Sequence, residues 1–251
     1  MQNKYFIGKK IIEIDVVDST NNYTANLLHK TKLVEGTVIL AHFQSKGRGQ
    51  RGELWHSEPG ENLLFSIVLE PFFINNENYF LLSKVVALAI NDVLEEISGK
   101  ISFIKWPNDI YINEKKIAGI LIENQWKGNT LQRAIVGIGI NINQLNFDKV
   151  ENATSLSLLT AKTHNLHLVL EKINNKIEEY YLKLKMGNSK EIDQRYFEQL
   201  LYRNQWHTYL LNNGDKIKGK IVEIVSSGQM ILEHENNSKK GYDIKEIKFM
   251  I

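Results

Sequence analysis

The order of apolar and polar positions divides the chain into short strands, a few helices and one long polar loop. The β-branched residues Ile11–Val17 predict a first strand. Asp18-Ser19-Thr20-Asn21 then supply N-cap residues for a helix over residues 22–30. Further apolar runs predict strands over residues 37–43 and 62–70.

The middle of the chain combines one long apolar helix with several short strands. Residues 79–97 are apolar on several faces, which predicts a helix buried against a sheet. Four strands are predicted after it, over residues 102–105, 109–112, 117–123 and 131–142. Because strands and helices do not alternate regularly, this order favours an α+β domain with a mixed or antiparallel sheet.

The pattern changes twice in the last hundred residues. Residues 155–202 show helical spacing, and a break at residues 186–188 separates two helices. After Trp206 short strands are predicted over residues 209–211, 216–224, 230–233 and 241–247. We therefore expect two domains: a larger one over residues 1–205 and a small β-barrel over residues 206–251.

The composition narrows the available chemistry. The sequence contains no cysteine, which excludes a disulfide framework, a thiolate zinc site and a thiol nucleophile. The formal net charge is +2, which gives no support for a nucleic-acid coat or a polybasic membrane protein. No signal-peptide pattern opens the chain, and no apolar run reaches the roughly 20 residues that span a bilayer. We expect a soluble cytoplasmic protein without a membrane partner.

A glycine-rich segment, Gly47-Arg48-Gly49-Gln50-Arg51-Gly52, lies within the polar loop over residues 44–60. It matches G-x-G-x-x-G, but Pro59-Gly60 follow too soon for the helix that a dinucleotide site requires. It is not a P-loop, since Glu53-Leu54 occupy the positions of Lys and Ser/Thr. Two interpretations remain: an ordinary surface loop, or a loop whose cations and backbone amides hold a polyphosphate or an acyl-adenylate.

A second cluster, Lys105-Trp106-Pro107-Asn108-Asp109-Ile110, places a cation, an indole, an amide and a carboxylate side by side. Pro107 restricts Trp106 to extended backbone, so the bend is fixed. Asp109 is a candidate ligand for Mg²⁺ on ATP phosphates, because this ion prefers carboxylate oxygens. The alternative is that Asp109 only caps the turn through its side chain.

Together these motifs resemble the biotin–protein ligase (biotin–[acetyl-CoA-carboxylase] ligase) family over essentially the whole chain. The resemblance implies an α+β catalytic domain with a mixed sheet, followed by a small SH3-like β-barrel. The residues that carry it are 18–21, 44–55, 62–63, 105–110, 116–121 and 137–141.

The resemblance implies two half-reactions. Biotin and ATP, with Mg²⁺, give biotinyl-5′-AMP and pyrophosphate; biotin then passes to a lysine of a biotin carboxyl carrier protein. The alternatives are a lipoate or octanoate ligase on the same fold and a non-catalytic biotin-binding regulator.

Larger relatives carry an N-terminal helix-turn-helix module. Since the first strand is predicted at Ile11, we expect a monofunctional ligase without sequence-specific DNA binding, either a monomer or a homodimer.

The resemblance also assigns roles to individual residues. Catalytic roles fall to Arg48, Asp109 and Lys116, with Asp109 also the Mg²⁺ ligand. ATP and adenylate binding fall to Arg48, Arg51, Trp55, Asn108, Asp109, Lys116 and Asn141. Biotin binding falls to Ser19, Thr20, Asn21, Gln44, Gly47, Arg48, Gly49, Gln50, Lys116, Gly119, Gly137 and Gly139.

This chain departs from a widespread version of the glycine loop. Many relatives carry Arg where Gln50 and Glu53 stand here. With fewer cations in the loop, we expect Arg48, Arg51 and Lys116 to carry more of the charge that holds an adenylate and the ATP phosphates.

Overall fold

The computed structural model describes residues 6–148, 150 and 152–250, apart from the side chain of Arg51. Seven strands form the larger sheet, and they pair in the order β1-β2-β3-β7-β6-β5-β4. The β1–β2 pair is parallel and the other pairs are antiparallel, so the predicted mixed sheet is confirmed. The strands are β1 Ile11–Val17, β2 Val38–Gln44, β3 Leu63–Leu69, β4 Ser102–Lys105, β5 Asp109–Ile112, β6 Lys115–Lys127 and β7 Thr130–Ile140.

Helices cover the two faces of this sheet unequally. On one face, α2 supplies the centre of the core: every residue from Val85 to Ile90 is fully buried. On the other face, α1 packs over β2, β3 and part of β7, and Leu33, Ile39 and Val68 form a small separate cluster there. The helices are α1 Thr20–Lys30, α2 Phe80–Ser98, α3 Leu156–Thr160, α4 Leu166–Lys185 and α5 Ser189–Glu198.

The predicted elements agree closely with these bounds. The strands expected over residues 102–105 and 109–112 lie where the sequence placed them, and α1 begins two residues earlier than expected. Since α1 packs on β2, β3 and part of β7, β6 and the rest of β7 are left for a cavity on this face of the sheet. Within the described part of the chain, no helix is long and apolar enough to cross a membrane.

The C-terminal residues form a second, antiparallel sheet with the order β11-β10-β9-β8-β12. Its five strands are β8 Trp206–Leu211, β9 Lys216–Ile224, β10 Met230–Glu233, β11 Lys239–Tyr242 and β12 Ile247–Phe249. The single strand predicted over residues 241–247 is wrong. A turn interrupts it, in which the amide of Asp243 donates to the Glu246 carboxylate and the amide of Glu246 to the Asp243 carbonyl.

The predicted small SH3-like domain is confirmed, although in the part of the chain that the structure describes its sheet does not close into a barrel. Among the described residues no ladder joins the outer strands β11 and β12, so the sheet is open, as in a small SH3-like domain. The turn between β9 and β10 docks on the larger sheet and on α2. The Trp106 indole donates to the Gly228 carbonyl at 3.0 Å, and Lys84 Nζ to the Ile224 carbonyl at 2.7 Å.

Lys84 reinforces this junction from inside the protein. Its side chain is fully buried, and Nζ lies 2.6 Å from Asp193 Oδ1 of α5. Burial lowers the pKa of Lys84, while the bond to Asp193 opposes that shift. Lys84 and Trp106 thereby hold the C-terminal sheet against the larger domain.

Candidate active site

A cavity of about 210 Å³ lies on the face of the larger sheet that α1 covers only in part. Its walls come from the start of α1, the β2–β3 loop, the β4–β6 segment, β7 and the end of the chain. Most residues that the sequence predicted for the site line it: Ser19, Thr20, Asn21, Gln44, Arg48, Gly49, Gln50, Trp55, Asn108, Asp109, Lys116, Gly119, Gly137 and Gly139.

Three predicted residues are not among those that line the cavity. Gly47 packs behind the wall, where an added Cβ atom would clash with the Trp55 backbone oxygen. Asn141 is buried, and its side-chain amide donates to the Thr154 carbonyl at 3.0 Å. The side chain of Arg51 lies outside the described residues. The roles of all three stay predictions.

Three glycines form a bare floor in the centre of the cavity. Gly119 and Gly139 are directly opposite each other on β6 and β7, and Gly137 lies two residues before Gly139 on the same face. A Cβ atom at Gly139 would lie 2.5 Å from Trp55 Cε2, and one at Gly119 would lie 3.0 Å from Trp55 Cζ3. The absence of side chains therefore lets the Trp55 indole lie directly on the sheet.

The third glycine makes room for Asn21. A Cβ atom at Gly137 would overlap the Asn21 side chain. Asn21 Oδ1 accepts from the Ser66 hydroxyl at 2.7 Å, and its amide donates to the Leu121 carbonyl at 3.2 Å. Asn21 is thus fixed by protein partners and shapes the cavity more than it offers free hydrogen-bonding groups.

The polar end of the cavity is built where α1 meets β2. Gln44 Oε1 accepts from the backbone amide of Thr20 at 2.7 Å and from its hydroxyl at 3.1 Å. Ser19 is the N-cap residue, yet among the described residues its side chain makes no capping hydrogen bond. The Ser19 hydroxyl and the Gln44 amide are therefore available to a polar ligand group at this end.

An ion pair lies near the other end of the floor. Lys116 Nζ is 2.8 Å from Asp109 Oδ1, and the two side chains are 26% and 17% exposed. The β5–β6 turn brings them together: Asn113 and Glu114 adopt positive φ values of 51° and 60°, and the ladder of β5 with β6 has a bulge just before them, between Ile110 and Tyr111. Lys116 Nζ also lies 5.7 Å from the centre of a Trp55 ring.

Asn108 holds the segment that carries Asp109. Its side-chain amide donates to the Ile120 carbonyl at 2.7 Å, and the Ile120 amide donates back to the Asn108 carbonyl at 3.0 Å. This reciprocal pair fixes the turn to β6, so the structure gives Asn108 a positioning contact in the cavity wall.

Several lining residues were not assigned to the site from the sequence. Lys105 belongs to the second motif, and its Nζ lies 5.1 Å from the Tyr111 ring and 5.8 Å from the Phe249 ring. Burial lowers the pKa of Lys105; nearby Lys116 lowers it further, while Asp109 and Glu53 oppose the shift. Ile244, Ile247, Lys248 and Phe249 reach the cavity from the second sheet, which no local sequence pattern could reveal.

The described residues offer little for a metal held by the protein alone. They contain no group of three or more His, Asp or Glu side chains arranged around a common point. Asp109 and Glu53 are the carboxylates that line the cavity, and Asp109 is already paired with Lys116. This donor set fits Mg²⁺ that arrives with substrate phosphates, since that ion commonly binds through one or two carboxylates.

The comparisons with known proteins agree with this geometry. The model of the biotin/lipoate A/B protein ligase family matches residues 13–141. The bifunctional ligase/repressor BirA of Bacillus subtilis is 32% identical over 249 residues, which cover 94% of this chain and 73% of the relative. A biotin–[acetyl-CoA-carboxylase] ligase of Paracoccus denitrificans is 39% identical over 132 residues, 50% of this chain and 51% of the relative.

A solved structure extends the likeness to the whole fold. The biotin protein ligase of Aquifex aeolicus, in complex with biotin and ATP, superposes with a TM-score of 0.81 at 32% identity. The match covers 96% of this chain and 99% of that one. The chain belongs to the biotin/lipoate A/B protein ligase family, and within it to the biotin–protein ligases.

The close contact between Gly139 and the Trp55 indole can be tested by substitution. Gly139→Ala must displace the Trp55 indole, and we expect a loss of about 1–3 kcal/mol in the free energy of unfolding. In a Trp55→Ala background the same substitution costs much less, because the clash is gone. Urea unfolding of both single variants and the double variant measures this coupling.

Gly241→Ala is the matched control, since its closest neighbours are the ends of two flexible side chains at 3.2 and 3.3 Å on the second sheet. An equal cost of Gly139→Ala with and without Trp55 would contradict the explanation of the glycine floor.

Proposed function

We propose that the chain is an ATP-dependent biotin–protein ligase. It activates biotin as biotinyl-5′-AMP, releases pyrophosphate, and transfers biotin to a lysine of a biotin carboxyl carrier protein. The observation that carries the proposal is one cavity in which a polar corner at Ser19, Thr20 and Gln44 and the Lys116–Asp109 pair lie along the same glycine floor. The family membership of the chain supports the same conclusion.

In the proposed first step, a carboxylate oxygen of biotin attacks the α-phosphorus of ATP, and the bond to pyrophosphate breaks. Negative charge concentrates on the carboxylate and the α-phosphate oxygens as they meet. Lys116 is the lining cation assigned to that point, and a fixed cation in a partly dry cavity stabilises such charge without reorganising. Lys116 can do so while it stays beside Asp109, because its ammonium has three N–H donors and the pair uses only part of them.

In the proposed second step, the neutral amine of a carrier lysine attacks the acyl carbon of the adenylate. The amide bond forms, the bond from the acyl carbon to the phosphate oxygen breaks, AMP leaves and the amine releases its proton to solvent. Neither step needs an enzyme nucleophile, so positioning and charge neutralisation supply the catalysis. That requirement is consistent with a chain without cysteine.

Mg²⁺ belongs to the proposal as the partner of ATP. When bound, it would neutralise phosphate charge, and Asp109 is the residue assigned to it, with Glu53 as a second carboxylate on the cavity wall. Arg51, Gly47 and Asn141 keep the adenylate or biotin roles that the family resemblance assigns to them. We place the reaction in the cytoplasm, by analogy with the bacterial relatives.

We also propose that residues 1–205 and 206–251 form two domains with different roles. The first part would carry biotin and most of the nucleotide site, and the second would close the cavity with residues such as Lys248 and Phe249. The contacts of Trp106 and Lys84 to the β9–β10 turn support a fixed arrangement of the two parts.

The choice between biotin and lipoate can be tested directly. We expect pyrophosphate release and adenylate formation when the protein is mixed with Mg²⁺, ATP and biotin, and none above background with lipoate. The physical reason is the polar corner around Ser19 and Gln44, which suits a ureido group and offers nothing to a fatty acyl chain. Release with lipoate alone would reverse the substrate assignment, and release with neither would favour a non-catalytic binding protein.

The role of Lys116 gives a second test. Lys116→Ala is expected to reduce adenylate formation about 100- to 1,000-fold, the range typical for removing one group that stabilises developing charge. Lys115→Ala is the matched control: it removes the neighbouring lysine, which is exposed and does not line the cavity. Single-turnover pyrophosphate release measures both, with circular dichroism to verify folding. Wild-type turnover in a folded Lys116→Ala variant would remove the assigned role.

A further inference from the structure

One carboxylate connects the glycine loop to the wall of the cavity. Glu123 lies on β6 two residues after Leu121, so it points to the same side of the sheet as the glycine floor. Its Oε1 is 2.7 Å from Arg48 Nη2 and its Oε2 is 3.3 Å from Arg48 Nη1, a forked ion pair. The same Oε2 accepts from the Asn21 amide at 2.8 Å.

The partners of Arg48 hold both terminal nitrogens of its guanidinium. Besides the two bonds to Glu123, Arg48 Nη1 donates to Asn22 Oδ1 at 2.6 Å. Arg48 therefore joins the glycine loop to both α1 and β6. Both terminal nitrogens of Arg48 thus bind the protein, whereas Lys116 Nζ has one carboxylate partner and keeps N–H donors for a ligand phosphate.

The loop itself behaves as one small hairpin. The amide of Gly49 donates to the Glu53 carbonyl at 2.7 Å, and the amide of Trp55 donates to the Gly47 carbonyl at 2.9 Å. Its Trp55 end rests on the glycine floor, and its Arg48 end rests on Glu123. Because the hairpin is cross-bonded, loss of the ionic contact loosens the whole segment rather than one side chain.

We propose that Glu123 is a positioning residue that fastens the glycine loop over the cavity through Arg48. In this role Arg48 anchors the loop, and Lys116 supplies the cation that contacts the ligand. The consequence for the reaction rests on the proposed function: the fastened loop keeps the adenylate in the cavity until the carrier lysine arrives.

The test uses Glu123→Gln, which keeps the shape and can still accept from Asn21 but has no charge for Arg48. In the free protein, we expect the amides of Gly49 and Trp55 to exchange with deuterium about tenfold faster, while β3 amides keep their rates. Arg48→Ala should give the same acceleration, and the double variant no further change. Glu96→Gln, which breaks the exposed Lys172–Glu96 pair, is the control and leaves the loop unchanged.

The effect of salt distinguishes an ion pair that holds the loop from a purely structural role of Glu123. The pair is 40% and 35% exposed, so about 0.5 M salt should accelerate loop exchange in the parent protein and have little effect in Glu123→Gln. Loop exchange rates equal to the parent within twofold, or a uniform acceleration over the whole chain, would overturn the proposal.

A second readout connects the loop to the ligand. Bound biotinyl-5′-AMP should dissociate about tenfold faster from Glu123→Gln than from the parent protein or from Glu96→Gln. Unchanged dissociation would overturn the retention role. If the parent protein forms and binds no adenylate, the proposed function fails, whereas the exchange measurement on the free protein still decides whether Glu123 fastens the loop.

Discussion

The site depends on a sheet face without side chains. At Gly119, Gly137 and Gly139 an added Cβ atom would crowd Trp55 or Asn21, so any larger residue must displace one of these side chains. The bare backbone lets an indole and an amide lie flat on β6 and β7, closer than ordinary side chains allow. The rest of the cavity is arranged around this contact, because Trp55 belongs to the glycine loop and Asn21 to α1.

The charged groups of the cavity are mostly held by partners before any ligand binds. Lys116 is paired with Asp109, and Arg48 with Glu123. Such pairing stabilises the unliganded cavity and keeps each side chain near one position. The two pairs differ in what surrounds them: the Lys116 pair faces the floor beside Trp55, while the Arg48 pair joins the loop to the cavity wall. That difference is the basis for giving them different roles.

Much of the larger domain could be predicted from the sequence, because its signals are local. The β-branched run at Ile11–Val17, the cap residues before α1 and the apolar helix near residues 79–97 each fix an element by themselves. The C-terminal part is harder to predict, because a hydrogen-bonded turn from Asp243 to Glu246 splits what looks like a single strand. Closure of a barrel depends on pairing between distant strands, which a local pattern does not contain.

The site likewise combines residues that local motifs predict with residues that only the fold brings together. Lys116, Asp109 and the glycine loop stand in recognisable motifs and line one cavity. Glu123 has no motif of its own; only the folded β6 strand brings it to Arg48, which is 75 residues away in sequence. Phe249 and Lys248 likewise reach the cavity from the second sheet. Asn141 illustrates the opposite case, since a residue within a motif is turned into the core.

The most direct test of the central claim is a crystal structure of this chain with biotinyl-5′-AMP. The account predicts the ureido ring at the corner formed by Ser19, Thr20 and Gln44, the phosphate within hydrogen-bonding distance of Lys116 Nζ, and Arg48 still paired with Glu123. Density for the ligand outside this cavity, or a phosphate held by Arg48 and out of reach of Lys116 Nζ, would contradict these expectations.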